Sequence, residues 1–359
     1  MIVLGIETSC DETSVAILDS EGRVRANVVS SQMRAHAPYG GVVPELAARA
    51  HLENLPAALE QALSDAGARL EDVGLVAATA GPGLIGALLV GLSAGKALAF
   101  ARGLPLVGVN HLEGHLYSAY LRLAGEPPLP VPAAFHGLVV SGGHAELVRV
   151  EDGRIAPLAR TRDDAPGEAF DKVARRAGLG YPGGPVVDRI AARIAGGPRR
   201  AFAIGRAGDG SLDFSFSGLK TAMLRELYRL GVDGSPLDPD RLAPELALLL
   251  ASFQRAVVDA LLDRVEAVHG AEGIREIALS GGVAANSELR ATLAAWGERN
   301  GVPVRLPERA YTTDNAAMIA WAGVERLRQG ASDPLDIAAR PRWPLDPSAE
   351  PVRGAGYKA

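Results

Sequence analysis

A chain of 359 residues exceeds what one typical core supports, so two domains are expected. With 48% hydrophobic and 22% charged residues it has the composition of an ordinary globular protein, and its 42 glycines and 24 prolines, set among apolar runs, mark tight turns rather than disorder. A net charge of -5 excludes a global attraction to nucleic acid or anionic membrane, and one cysteine excludes an internal disulfide framework and fits a reducing, cytoplasmic location.

The chain enters an apolar strand at once, Ile2 to Ile6, with no basic segment before it, so no signal peptide is expected. Glu7 to Thr13 is a polar turn whose backbone N–H groups and hydroxyls suit an anion. Strands at Ser14–Leu18 and Arg23–Ser30 follow, and Val43 to Ala66 has helical periodicity with Pro44 in its first turn. A strand at Val73–Thr79 leads through Ala80-Gly81-Pro82-Gly83 into a region rich in small residues, Gly83 to Ala101. Its glycines and alanines and its Lys96 predict a buried helix rather than a membrane span. The apolar run Leu104–Val109 then meets Asn110-His111-Leu112-Glu113-Gly114-His115, which opens a helix through Leu121.

On that helix His111 and His115, four residues apart, share one face, a spacing that suits one divalent transition metal. Two histidines on a partly exposed face, with no metal, is the alternative. Glu113 lies about 200° round from His111 and points away, so the stretch does not fit the H-E-x-x-H signature of zinc peptidases.

A proline-rich linker, Gly125 to Pro132, precedes a restart of the pattern. Gly137–Val140 is a strand, Ser141-Gly142-Gly143-His144 a turn, and Ala145–Val150 and Arg154–Thr161 are two more strands. Strand, polar turn, strand, acidic-Gly turn, strand thus occurs twice, which predicts a duplicated α/β chain of two lobes around a cleft. Expected boundaries are 1–132, 133–323 and a C-terminal segment 324–359 packing back on the first lobe. In the second lobe, Gly167–Lys172 opens a helix, Tyr181–Pro185 makes a rigid turn ahead of Asp188, and Phe214–Thr221 leads into another helix. A long amphipathic helix follows at Pro244–His269. The strand Ile274–Leu279 ends in Ser280–Asn286 at a helix start, an arrangement that binds anions. Three Gly-rich turns closing apolar strands point to a nucleotide-like ligand.

Individual side chains have plainer readings as well. Asp314 reads as the cap of a late helix, Asp171 and Asp188 as caps, surface residues or ribose ligands, and Cys10 as a small buried residue or a nucleophile. The pairs Arg175-Arg176 and Arg199-Arg200 read as solvated faces or phosphate contacts.

Taken together, Gly5–Thr13, Tyr39–Glu45, Asn110–His115, Val140–His144, Gly167–Lys172, Asp213–Thr221, Ser280–Asn286, Thr313–Ala320 and Arg340–Pro344 resemble one family, TsaD (YgjD/Gcp). Its members are tRNA threonylcarbamoyladenosine transferases within the actin/Hsp70/sugar-kinase (ASKHA) superfold. The resemblance spans almost the whole chain. It implies transfer of a threonylcarbamoyl group from threonylcarbamoyl-AMP to the N6 amine of adenosine 37, beside the anticodon, in tRNAs reading ANN codons. It implies one divalent metal, Fe2+ or Zn2+, on His111, His115 and Asp314. Contacts to the adenylate would come from Val139, Val140, Ser141, Gly142, Gly143, Asp171, Gly184, Asp188 and Asn286. Partners implied are tRNA, a paralogous TsaB-type subunit and a TsaE-type ATPase, with no membrane. The chain departs from many relatives at Thr312, where they carry a cysteine that is not a metal ligand.

A metal held there with open positions would polarise the carbamate carbonyl or the adenylate phosphate, and Asp11 or Glu12 in the first loop would assist proton removal from the amine. A sugar or acetate kinase of the same superfold, and a non-catalytic nucleotide switch, are the competing readings. The kinase has no use for a His–His–Asp site, and stoichiometric iron or zinc in the purified protein would separate the transferase from both.

Overall fold

The computed structural model describes residues 1–39, 41–194, 200–204 and 210–345. Arg199, Gly40 of the Tyr39–Glu45 stretch and the end of the 324–359 segment lie outside them.

In the first half, β1 (Ile2–Glu7), β2 (Glu12–Asp19) and β3 (Arg23–Ser31) form an antiparallel meander. A short α1 (Met33–His36) and the long α2 (Pro44–Asp65) follow; Pro44 starts α2 where a missing N–H leaves no bond unmade. Next, β4 (Val73–Gly81) runs parallel to β1, α3 (Ile85–Arg102) follows it, and β5 (Leu106–Asn110) runs parallel to β4. Helix α4 (His111–Ser118) and the two-residue β6 (Arg122–Leu123) complete a sheet of order β5-β4-β1-β2-β3-β6. Helix α4 stops three residues short of the Leu121 expected.

The second half repeats the plan. Strands β7 (Ala134–Val140), β8 (Ala145–Glu151) and β9 (Arg154–Arg160) precede α5 (Pro166–Arg176), α6 (Gly183–Ala192), α7 (Ser217–Arg229) and α8 (Pro244–Glu272). Strand β10 (Ile277–Ser280), α9 (Ser287–Asn300) and β11 (Val304–Arg305) finish it. The sheet order β11-β10-β7-β8-β9 is that of β5-β4-β1-β2-β3 over again, so the duplication read from the strand-and-turn pattern is present in the topology.

Two compact units result, Met1–Ala133 with Glu151–Ile155 and Pro307 onwards in one, Ala134–Val150 with Ala156–Leu306 in the other. The boundary expected at 323 therefore falls at 306, and α10 (Ala316–Arg328) belongs with the first sheet. Its first nine residues, Ala316–Val324, are all buried, and β1 accepts it closely because Gly5 has no side chain. A Cβ on Gly5 would come within 2.3 Å of the Ala316 carbonyl oxygen. Chain order alone cannot show that a late helix returns to an early strand.

Each unit has its own core. Leu4, Ile6, Val15, Ile17, Val76 and Leu92 are among the buried side chains of the first. The second is more aromatic, with Phe170 and Phe253 edge to face at a centroid distance of 5.5 Å.

Helix α3, expected as a buried helix rather than a membrane span, is buried along one side only. Ala87, Leu88, Gly91 and Gly95 are buried, while Ile85, Leu89 and Phe100 stay exposed. By length and composition alone α3 could cross a membrane, but its small side is spent on close contact within the unit. A Cβ on Gly91 would lie 2.3 Å from Thr8 Oγ1, and one on Gly83 would lie 2.6 Å from the Ser9 carbonyl oxygen. The small residues let the first polar loop lie flush on α3.

Candidate functional site

Strand β5 ends at Asn110, whose side-chain oxygen accepts from the Leu112 N–H at 2.9 Å and caps α4. The other end of the amide donates to the Trp343 carbonyl at 2.9 Å, tying the C-terminal segment to the start of the helix. The cap sets the first turn, and His111 and His115 then project side by side with ring centroids 4.7 Å apart. Asp314 approaches them from the segment before α10. The cap of α10 is Asn315, which accepts from the Met318 N–H at 3.1 Å, so Asp314 is left free to face the histidines. Its Oδ1 lies 3.0 Å from His115 Nε2 and 3.5 Å from His111 Nε2. One ligand atom from each of the three residues falls within 4.8 Å of the others.

Behind this set stands a residue to which the sequence reading gave no role. Glu7, fully buried at the end of β1, places Oε2 3.0 Å from His111 Nδ1 and accepts from Thr79 Oγ1 at 2.7 Å. Its other oxygen accepts from the Ser9 N–H, and Ser9 Oγ lies 3.1 Å from the same His111 nitrogen. A carboxylate only accepts, so the proton of neutral His111 sits on Nδ1 and the lone pair on Nε2 faces Asp314. A carboxylate behind a histidine that leaves its far nitrogen bare is the usual support of a metal ligand. A charged side chain ending an otherwise apolar, buried strand was the signal available in the sequence.

The electrostatics agree. Burial raises the carboxyls of Glu7 and Asp314, but the His111 imidazole outweighs it and both stay ionised, Asp314 well below the usual range. Burial likewise opposes charge on His111, yet Asp314 and Glu7 lift it well above its ordinary value, so its Nε2 is strongly disposed to hold a cation, either a metal or a second proton. Burial first, then the carboxylates of Asp314 and Asp11, pushes Glu12 up to about 9. This concentration of negative charge favours a cation. Two imidazole nitrogens and one carboxylate oxygen, held this close, fit a divalent transition metal with coordination positions to spare. Cys10 is no nucleophile in this setting, because burial and then Asp11 push its thiol far above the usual range. Glu113 points away, as its position on the helix requires, and pairs with Arg326 at 3.3 Å.

In the second unit the predicted ligand-binding residues fall into three groups. Val139 and Val140 end β7 and run into Ser141-Gly142-Gly143, where Ser141 Oγ accepts from the His144 N–H at 3.2 Å. A Cβ on Gly142, Gly143 or Gly184 would meet nothing within 4 Å, so packing does not demand these glycines and their backbone lies open to a ligand. Gly167 and Gly281 are different. A Cβ on the first would meet Gly142 Cα at 2.7 Å and one on the second the Val140 carbonyl oxygen at 2.4 Å, so the loops at 141–143, 167 and 281 stack directly on one another. Asp171, its pKa raised mainly by burial, accepts from the Gly183 N–H at 2.7 Å beside Gly184. Asp188 accepts from Ser287 Oγ at 2.7 Å and from Gln254 Nε2 at 3.2 Å. Asn286 caps α9 and donates to Gln254 Oε1 at 2.8 Å. Asp188 and Asn286 are thus joined through Gln254, a buried polar residue hidden in the apolar run of α8.

Two neighbouring carboxylates, Asp163 and Asp164, lie in none of the sequence motifs. Asp163 accepts from Phe216 N–H at 2.8 Å and Ser215 Oγ at 2.6 Å, while Asp164 holds Lys172 at 2.5 Å, Ser217 Oγ at 2.7 Å and Lys220. They pin the Gly167–Lys172 and Asp213–Thr221 stretches to one loop.

A family profile described as TsaD, tRNA N6-adenosine threonylcarbamoyltransferase, matches residues 23–321. A tRNA N6-adenosine threonylcarbamoyltransferase of Novosphingobium aromaticivorans is 50% identical over 100% of this chain and 99% of its own length. One from Sphingopyxis alaskensis is 51% identical over the same shares. Among solved structures, HypF of T. kodakarensis matches with a TM-score of 0.58 at 14% identity, over 91% of this chain and 48% of its own. Component A of the Acidaminococcus fermentans (R)-2-hydroxyglutaryl-CoA dehydratase gives 0.52 at 15% identity, over 91% and 99%. At such identities these two show the fold alone, the duplicated actin/sugar-kinase architecture. The chain belongs to the TsaD family of tRNA N6-adenosine threonylcarbamoyltransferases.

Proposed function

We propose that the chain transfers the threonylcarbamoyl group of threonylcarbamoyl-AMP to the N6 amine of adenosine 37, beside the anticodon, in tRNAs reading ANN codons, and releases AMP. The observation that carries this reading is the His111–His115–Asp314 set with Glu7 behind it, in a chain half identical to such transferases from end to end. One divalent metal, Fe2+ in this reading with Zn2+ as the competitor, would be held by His111, His115 and Asp314 and would supply electrophilic polarisation of the carbamate carbonyl or of the adenylate phosphate.

The protein's own residues do the rest. Glu7 keeps the His111 proton on Nδ1 and the ring turned toward Asp314. The open backbone at Ser141, Gly142, Gly143 and Gly184, following Val139 and Val140, receives the adenylate, with Asp171, Asp188 and Asn286 placing its polar groups. The exocyclic amine is a poor nucleophile, so holding it in line contributes more than activating it. It attacks the carbamate carbonyl, the bond from that carbon to the phosphate oxygen breaks, and the amine proton passes to Asp11 in the first loop, or to Glu12 once a cation in the site draws its raised carboxyl back to the ionised form.

A net charge of -5 gives the chain little hold on a tRNA polyanion, so companions are part of the reading. A TsaB-type subunit docks on the exposed apolar groove between α2 and α3, lined by Leu52, Leu55, Pro56, Leu89 and Val90, with Leu52 63% and Leu89 50% exposed. A TsaE-type ATPase completes the cytoplasmic assembly.

The test is a transfer assay with threonylcarbamoyl-AMP and unmodified tRNA, with and without these companions. His111→Ala and Asp314→Ala should fold, lose the metal and lose transfer. Wild-type rates from a metal-free variant, or many turnovers by the chain alone, would overturn the metal or the partner part respectively.

A further inference from the structure

Two other histidines of the first unit, His36 and His51, are buried and take no part in the site just described. With Gln32 they form a chain of hydrogen bonds whose direction is set independently at both ends. At one end His51 Nε2 lies 3.0 Å from the Cys10 carbonyl oxygen, which only accepts, so Nε2 carries the proton. The lone pair on His51 Nδ1 then accepts from Thr13 Oγ1 at 2.8 Å and Gln32 Nε2 at 3.2 Å. At the other end the Val43 N–H, which only donates, meets His36 Nδ1 at 3.3 Å, so His36 also carries its proton on Nε2. That proton goes to Gln32 Oε1 at 3.2 Å. The two assignments meet at Gln32 without conflict, and its second amide hydrogen has the Ala47 carbonyl at 3.4 Å. Burial holds the His51 imidazole below its ordinary pKa, which keeps it in the neutral form this pattern needs.

What the chain grips is the first loop. The Ser9 carbonyl accepts from the Leu84 N–H at 2.8 Å, Cys10 from His51, and Asp11 from the Gln32 N–H at 2.9 Å. Across a trans peptide the C=O and N–H point in opposite directions, so three anchored carbonyls fix three consecutive peptide planes. Those planes set where Asp11 and Glu12 point, and they hold Ser9 against His111.

We propose that His51, backed by Gln32 and His36, is a positioning residue of the transfer reaction: through the Cys10 carbonyl it orients the loop that carries Ser9, Asp11 and Glu12. This rests on the reading that His111 and the first-loop carboxylates serve transfer.

Two measurements test it. In nitrogen-15 correlation spectra of the histidine-labelled holoenzyme at neutral pH, His36 and His51 should both appear as neutral rings protonated on Nε2. Either ring protonated on Nδ1 overturns the directed chain. In the assembled, metal-loaded enzyme, His51→Leu should lower kcat at least tenfold with KM for tRNA and metal content within twofold. His51→Gln, whose amide still reaches Cys10, should regain most of that loss. If the leucine variant is too unstable to purify, Gln32→Met is read the same way. A folded His51→Leu or Gln32→Met enzyme with wild-type kcat overturns the proposal, as does a glutamine variant no better than leucine. A wild-type enzyme without transfer would instead count against the functional reading, and the spectra stand apart from it.

Discussion

Replacing Glu7 by glutamine removes the charge behind His111 and keeps the shape of the side chain. Three donors aim at this carboxylate: Thr79 Oγ1 at 2.7 Å, His111 Nδ1 at 3.0 Å and the Ser9 N–H. A glutamine has one accepting oxygen where the carboxylate has two, so whichever way it turns, at least one of these buried donors faces an NH2. A buried donor without a partner costs about 1–3 kcal/mol. Loss of the partner behind a ligating histidine typically lowers metal affinity about 10–100-fold, or about 1.4–2.8 kcal/mol at roughly 1.4 kcal/mol per tenfold. Glu7→Gln should therefore melt lower and bind its metal at least tenfold more weakly, measured by chelator competition on the purified protein. Thr79→Val, which removes one donor and leaves the charge, should change metal affinity far less. A cooperatively folded Glu7→Gln protein with metal affinity within twofold of wild type would show that the carboxylate does not support the ligand.

Asp188→Asn and Asn286→Ala should each weaken binding of a non-hydrolysable adenylate analogue by about 1–3 kcal/mol in calorimetry, with metal content unchanged. Both should also cost about 1 kcal/mol of stability, because these side chains hold the start of α9; wild-type affinity for the analogue would remove them from the site. For Asp164, burial raises the carboxyl but Lys172, Lys220 and Ser217 outweigh it and hold it at about 2, below the ordinary 3.8. Its contribution to stability is thus complete above about pH 4 and disappears as pH falls through about 2. Asp164→Asn should flatten this part of the acid limb of a plot of urea midpoint against pH, and an unchanged limb would refute the assignment.

The fold was legible where period and punctuation spoke together. The apolar alternation of Ile2–Ile6 and Ser14–Leu18, and its return at Gly137–Val150, predicts two copies of one sheet plan, and the two sheet orders bear this out. What pattern could not supply is long-range assignment. Residues 307–323 read as the end of the second lobe, yet α10 starts among them and lies on β1, while Arg340, in the segment expected to pack back on the first lobe, donates its N–H to the Ala80 carbonyl at 2.7 Å. The glycines that permit this, Gly5 against Ala316 and Gly81 against Arg340, look like any other glycines until their neighbours are known.

The site divides along the same line. His111 and His115 announce themselves because four residues is a local distance on a helix, whereas Asp314 lies about two hundred residues away and, from its sequence alone, is as good a cap as a ligand. The structure separates the two roles by giving the cap to Asn315, one residue on, so adjacent polar residues that look redundant divide the work between them. Glu7 and Gln254 were hidden for other reasons: Glu7 reads as the first residue of a polar turn although it ends the buried β1, and Gln254 sits inside the amphipathic α8, where pattern assigns a helix face and nothing more. Burying a carboxylate or an amide there is costly unless its partners are already in place. Glu7 has Thr79, Ser9 and His111, and Gln254 has Asp188 and Asn286, so each polar residue in an apolar run is matched by others brought from distant parts of the chain. A lone polar residue that interrupts a buried strand or helix is therefore the best local sign of a site assembled by the fold, and its function can be read only once those partners are known.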